Sequence, residues 1–182
     1  MSLASHFRSR PFEHLLIAPV LNAPLEAGLI SELQDAEWES RGDTFYRFDV
    51  PRLDLTKARI RAMLDTVCSD IKPTLEIALT SRLAPAAHLE IHRYRTGDGI
   101  GPHTDAATAE VRCVININTG WSLADGGVWT LAADSALKVG TSQLPSTSNS
   151  AFAFSTGSTS FHALSLRYAG IGYGLTIRFP RQ

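Results

Sequence analysis

Two residues apart in "RYRTGDGIGPHTD" (93–105), His103 and Asp105 offer an imidazole nitrogen and a carboxylate oxygen, both donors to first-row metals. Side chains on an extended segment alternate, so positions i and i+2 share a side and the two donors face one point. His162 in "STSFHALSL" is the natural third donor. Two His and one carboxylate on one side leave three metal positions open, which suits non-haem Fe(II). Structural zinc prefers four closed ligands, often including Cys. Taken alone, His-x-Asp also arises by chance, and a later His is equally an ordinary polar residue, so the surrounding elements decide between the readings.

After Pro85 the chain turns to short β-type runs punctuated by Gly, Asn, Ser and Thr: "HLEIHRY", "EVRCVININ", "GGVWTLAA", "SAFAFS" and "GYGLTIRF". That texture predicts an antiparallel sandwich or barrel rather than βαβ units. Before it, "HLLIAPVL" suits a strand, and "PLEAGLISELQDAEW" places Leu25, Leu29, Ile30 and Leu33 on one helical face behind a first-turn proline. Ile60, Met63, Leu64, Val67 and Ile71 predict a second helix after a cap at Asp54 or Thr56, with Pro73 breaking or restarting it and "TLEIALTSRL" continuing. "TSQLPSTSNS" (141–150) reads as a surface loop suited to a lid. The expected organisation is one domain over 1–182, with 1–86 a helical support region and 87–182 a β-barrel core carrying the site.

At 182 residues and 44% hydrophobic content the chain can bury a single core without staples. Lys and Arg number 17 against 18 Asp and Glu, so the chain lacks the basic excess that phosphate tracks or anionic membranes attract, and neither partner is expected. Cys68 and Cys113 have no CxxC spacing and read as buried free thiols in a reducing compartment. No apolar run reaches the roughly 18 residues of a membrane span, so a cytoplasmic location is the expectation.

In its motif order the chain resembles the Fe(II)- and 2-oxoglutarate-dependent oxygenases, in particular the prolyl-hydroxylase-like and small amino-acid oxygenase branch. The first block of that family, a strand ending in Tyr, a Gly turn and HxD, matches "LEIHRYRTGDGIGPHTD". The second matches "VININTGWSLADGG", with Asn118, Trp121, Asp125, Gly126 and Gly127, and the third matches "PSTSNSAFAFSTGSTSFHALSL" with the distal His. The resemblance implies a mainly β chain with N-terminal helices, folded as a double-stranded β-helix (jelly-roll, cupin-like) barrel. It also implies Fe(II) held by His103, Asp105 and His162, with 2-oxoglutarate and O2 as co-substrates. In that family the keto acid is oxidatively decarboxylated to succinate and CO2 while an unactivated C–H bond of the substrate is attacked. Asp105 argues for hydroxylation rather than halogenation, because related halogenases have a small residue there.

The fourth block departs from the family. The Arg or Lys that pairs with the 5-carboxylate of 2-oxoglutarate usually begins the last strand, where "AGIGYGLTIRF" has Gly172. Alternation puts Gly172, Gly174, Thr176 and Arg178 on the inward face, so Arg178 is the remaining cation of that strand. Six residues of strand span about 20 Å, however, so it cannot simply replace an Arg at 172 and is expected nearer the metal end, against Asp105 or the 1-carboxylate. Arg93, Arg95, Arg167 and the Tyr94 hydroxyl are further candidates for the 5-carboxylate, although Arg167 reads as a solvated turn residue. Arg178, Tyr94 and Asn118 are the expected co-substrate contacts, and Trp121 and His92 the expected substrate contacts. Trp129 reads as barrel lining. The expected reaction is hydroxylation of a small molecule, an amino acid or natural-product intermediate. Alternatives are a peptide or protein substrate, an iron oxygenase with another co-substrate, and a binding barrel without catalysis.

Overall fold

Alternating runs dominate the chain, and a single curled sheet is how they bury their apolar sides. The computed structural model describes residues 4–43, 45–52, 58–105 and 108–182. Its strands are β1 (Ala4–Arg8), β2 (His14–Ala18), β3 (Trp38–Gly42), β4 (Tyr46–Pro51), β5 (His88–Tyr94), β6 (Gly99–His103) and β7 (Glu110–Ile117). They continue with β8 (Trp129–Ala132), β9 (Ser142–Leu144), β10 (Ser150–Ser155), β11 (Phe161–Leu164) and β12 (Gly172–Pro180). All described pairs are antiparallel, in the order β1-β2-β10-β7-β12-β5-β4-β6-β11-β8-β9, with β3 added to β4. Trp129 of β8 touches Phe152 of β10 at 5.2 Å between ring centroids, and His162 of β11 touches Phe154 of β10 at 5.0 Å. β10 and β8 lie near opposite ends of that order, so the sheet closes on itself in a jelly-roll-like barrel.

The period of two decides what each side holds. Tyr173, Leu175, Ile177 and Phe179 of β12, with Val111, Cys113, Ile115 and Ile117 of β7, form one core on the outer face of the sheet. Against it pack Leu29 and Leu33 of α1 (Ala23–Gln34), Ile60 and Met63 of α2 (Ala58–Thr66) and Leu75 of α3 (Lys72–Ala78). The other residues of the same strands point inward, where Tyr94, Val114, Trp129, Leu131, Leu144, Phe152, Phe154 and Leu164 make a second cluster inside the barrel.

The helix expected around Ile60 to Ile71 runs from Ala58 and widens into a π-helical turn over Val67–Ile71 before α3 begins. Pro73 supplies the cause: it has no N–H and its ring crowds the carbonyl four residues back, and a wider turn accommodates both. The caps expected at Asp54 or Thr56 lie outside the described residues.

The first 86 residues are more than a helical support. β1 to β4 all fall there, β1 and β2 extending one end of the sheet beside β10 and β4 bridging β5 and β6. The stretch 141–150 is not an open loop either, because β9 pairs with β8 and Ser146 is buried. Both cysteines are free, Cys113 fully buried and Cys68 partly so. No described helix is long and apolar enough to cross a membrane.

His14 on β2 is fully buried, its Nδ1–H donating to the Phe12 carbonyl at 2.9 Å while Nε2 has no partner. Burial lowers its pKa, as it does for His92. A depressed imidazole leaves the folded state with fewer bound protons than the unfolded chain below the ordinary value of 6.5. Stability of the metal-free protein is therefore expected to be complete above that pH and to fall as the pH drops through and below it. Urea unfolding from pH 7.5 to 5 checks this, and His14→Leu should flatten the acid limb.

Candidate metal centre and barrel interior

β6 and β11 are neighbours with His103 directly opposite His162, so the register brings the two imidazoles to 4.2 Å between centroids. The strand ends at His103, and Asp105 follows in the outgoing loop. One ligand atom from each of His103, Asp105 and His162 lies within 4.8 Å of the other two. Asp105 Oδ2 stands 3.3 Å from His162 Nε2. In both imidazoles Nδ1–H donates to a backbone carbonyl two residues earlier, His103 to Gly101 at 2.9 Å and His162 to Ser160 at 3.1 Å. These bonds fix the tautomer and leave both Nε2 lone pairs free, the arrangement that outer-shell partners impose on metal-binding histidines. Burial, reinforced by His103, pushes the His162 pKa down to about 3, so it stays neutral and available across the neutral range. Asp105 Oδ2 is buried within ion-pairing range of a guanidinium, without accepting a hydrogen bond in good geometry.

Arg112 of β7 is the site residue that sequence reasoning passed over. Its Nε lies 3.1 Å from Asp105 Oδ2 and 3.8 Å from Glu110. Its register partner on β12 is Arg178, which pairs instead with Glu90 at 3.4 Å and Glu110 at 3.9 Å. Arg178 is therefore at the metal end, as the strand length demands, but the contact with Asp105 falls to Arg112. Only the inward alternation of β7 could have pointed to it.

Tyr94 and His92 face inward opposite Gly172 and Gly174. His92 packs on Phe48 at 4.3 Å, and its Nδ1 is 3.4 Å from the Tyr94 hydroxyl. Burial holds the Tyr94 phenol far above its ordinary pKa, so it is a neutral hydrogen-bonding group. Asn118 is used at both ends: Nδ2 donates to the Ser146 carbonyl at 2.7 Å, and Oδ1 accepts from the Tyr173 N–H at 3.1 Å. Trp121 closes its own loop, Nε1 donating to the Gly126 carbonyl at 2.8 Å, while Trp129 donates to Asn116 Oδ1 at 3.1 Å inside the barrel.

Two cations considered for the 5-carboxylate belong elsewhere. Arg93 and Arg95 converge on buried Asp49, with Arg93 Nη2 at 2.6 Å and Arg95 Nη2 at 3.0 Å. Arg167 also departs from expectation: it is no solvated turn residue but only 5% exposed. Its N–H donates to the Asp98 carbonyl and its own carbonyl accepts from Gly97 N–H, which turns the side chain into the barrel. There it lines a narrow cavity with Tyr94, Asn116, Trp129, Leu164 and Gly174.

No protein-family profile and no curated protein matches the sequence. Among solved structures, the chain is similar to a prolyl 4-hydroxylase from Pseudomonas putida, 19% identical, with a TM-score of 0.76 over 93% of this chain and 92% of that one. It is similar to an oxidoreductase of the 2OG-Fe(II) oxygenase family from Burkholderia pseudomallei, 14% identical, with a TM-score of 0.70 over 93% and 86%. A third is a prolyl hydroxylase from Trichoplax adhaerens in complex with a peptide fragment of the hypoxia inducible factor oxygen degradation domain. It is 11% identical, with a TM-score of 0.73 over 91% and 82%. The likeness runs through nearly the whole chain, N-terminal strands and helices included, and the fold is the one these oxygenases have.

Proposed function

We propose that the chain is a non-haem Fe(II)- and 2-oxoglutarate-dependent oxygenase that hydroxylates a C–H bond of a small polar molecule, such as an amino acid or natural-product intermediate. The observation that carries this reading is the convergence of His103, Asp105 and His162, with both imidazoles oriented by carbonyls and a buried carboxylate oxygen beside them. Bound there, Fe(II) with 2-oxoglutarate and O2 supplies the oxidising chemistry, the keto acid leaving as succinate and CO2.

The chain's own residues do the rest. His103 and His162 donate through Nε2 and Asp105 through a carboxylate oxygen, while Arg112 steadies Asp105 from the neighbouring strand. Phe154 and Trp129, with ring centroids 5.0 and 6.3 Å from the His162 ring, keep bulk water off one side of the centre. Beside Asp105 the inner wall carries both signs of charge, Glu90 and Glu110 with Arg112 and Arg178. Arg112 Nε, Arg178 Nε and Glu110 Oε2 are buried there in ion pairs that lack hydrogen-bond geometry. Such groups favour a ligand that brings both a donor and an acceptor, which supports an amino-acid-like substrate.

The peptide reading rests on a different observation: two of the similar structures are prolyl hydroxylases, one of them holding a peptide, and the P. putida chain is matched over almost its full length. The experiment adds 2-oxoglutarate to the Fe(II)-loaded protein without oxygen and follows the weak visible charge-transfer band, then measures succinate and O2 uptake with pools of amino acids and of proline-containing peptides. A band and amino-acid-stimulated succinate are expected. Stimulation by peptides alone selects the second reading, and oxygen uptake indifferent to 2-oxoglutarate rejects the co-substrate.

A further inference from the structure

Arg167 is a buried cation without a counter-ion among the described residues. Of the five N–H donors of a guanidinium, Nη2 is used on the Ile171 carbonyl at 3.1 Å, and Nε is buried with no partner. Among the described residues no carboxylate lies within ion-pairing distance of it, and Asp125 acts only at longer range. Leaving a charge in that condition costs several kcal/mol unless an anion meets it. A surface Arg could turn to water; this one is hemmed in.

What makes room for the guanidinium is glycine. A Cβ at Gly172 would stand 2.4 Å from Arg167 Nη1 and 2.3 Å from Asn118 Oδ1, and one at Gly127 would stand 3.3 Å from Nη1. Any side chain at 172 would thus collide with the guanidinium and with the Asn118 carboxamide, and one or both would have to shift. The place where a cation of β12 itself would enter the barrel is filled by one arriving from the turn after β11.

The cavity that Arg167 lines is continuous in sequence with the metal centre. Leu164, in its wall, lies two residues along β11 from His162, about 7 Å along an extended strand. Asn116 and the neutral Tyr94 line the same narrow cavity and set further polar groups beside the guanidinium.

We propose that Arg167, admitted by Gly172, is the residue that binds the distal carboxylate of the keto-acid co-substrate, whose 2-oxo-acid end lies at the metal centre. The inference rests on the oxygenase reading and adds to it the identity of the cation. It assigns Gly172 a role as well, since the glycine is there to leave space rather than to turn the chain.

The test compares two keto acids on the Fe(II)-loaded protein without oxygen. 2-Oxoglutarate carries the distal carboxylate; pyruvate has the same 2-oxo-acid head and lacks it. In Arg167→Gln the apparent Kd for 2-oxoglutarate, read from the visible band, is expected to rise about 30-fold or more, the range for truncating one partner of a buried charge pair. The affinities for pyruvate and for Fe(II) alone should stay within a few-fold of wild type.

Gly172→Ala approaches from the other side, since its methyl group collides with the guanidinium without deleting it. It should weaken 2-oxoglutarate selectively too, and remains informative if Arg167→Gln folds poorly. The double variant Arg167→Ala with Gly172→Arg returns a guanidinium to the same space and should recover most of the loss. If either single variant binds 2-oxoglutarate as tightly as wild type, or loses pyruvate in equal measure, Arg167 is not the clamp. A wild-type protein that binds Fe(II) yet gives no band with either keto acid overturns the oxygenase reading, and this inference with it.

Discussion

Asp105→Ala is expected to lower Fe(II) affinity by at least about 100-fold, beyond the loss usual for an outer-shell partner, and to bring 2-oxoglutarate-dependent succinate formation down to background. The substitution removes the sole anionic donor of the triad and leaves the Arg112 guanidinium facing the two imidazoles, so a cation entering the site meets net positive charge. Fold should survive. Asp105 follows the end of β6, its main-chain carbonyl still accepts from Thr108, and Arg112 keeps Glu110 as a second carboxylate neighbour at 3.8 Å. Equilibrium titration with Fe(II), read beside far-UV circular dichroism of the same sample, separates loss of metal from loss of structure. Wild-type metal affinity in a folded Asp105→Ala protein would remove the triad from consideration.

For Asp49→Ala the expected effect is on stability, a loss of about 3–5 kcal/mol. The carboxylate is 1% exposed and receives Arg93 through Nε at 2.8 Å and Nη2 at 2.6 Å, Arg95 at 3.0 Å, and the Ser40 hydroxyl at 2.8 Å. It therefore ties β3, β4 and β5 together where β4 crosses to β6 with only a short ladder on either side. Without it, Arg93 is left four-fifths buried, with the Trp38 ring at 4.7 Å as its remaining favourable contact. In a chain of this size the loss corresponds to a midpoint about 6–20 °C lower. Thermal and urea unfolding measure it, and a change below about 1 kcal/mol would mean that the buried charges are met by water rather than by one another.

The two substitutions act on features of unequal visibility. Several strands of the barrel wall were legible because they alternate cleanly: "HLEIHRY" became β5 residue for residue, and the inward face of β12 was read correctly as Gly172, Gly174, Thr176 and Arg178. β1, β3, β4 and β6 were not. "ASHFR" is exposed along its whole length, "WESRG" and "YRFDVP" carry charges rather than an apolar alternation, and "GIGPH" is built of glycine and proline. Such strands are held by the neighbours they pair with rather than by their own propensity. The N-terminal third therefore read as one strand followed by helices although it adds four strands to the sheet.

Local sequence was sufficient wherever one strand's alternation or one short spacing carried the information: the β class, the inward set of each alternating strand, and the nearness of His103 to Asp105. The choice among distant partners belonged to the tertiary structure. Register placed His162 opposite His103, made Arg112 rather than Arg178 the neighbour of Asp105, and gave Arg93 and Arg95 to Asp49. It also folded Arg167 back into the space that Gly172 leaves open. An arginine's reach is long and its direction is set by whatever stands around it, so the same residue type reads alike in a sequence whether it ends in water, on a buried aspartate or at the floor of a barrel.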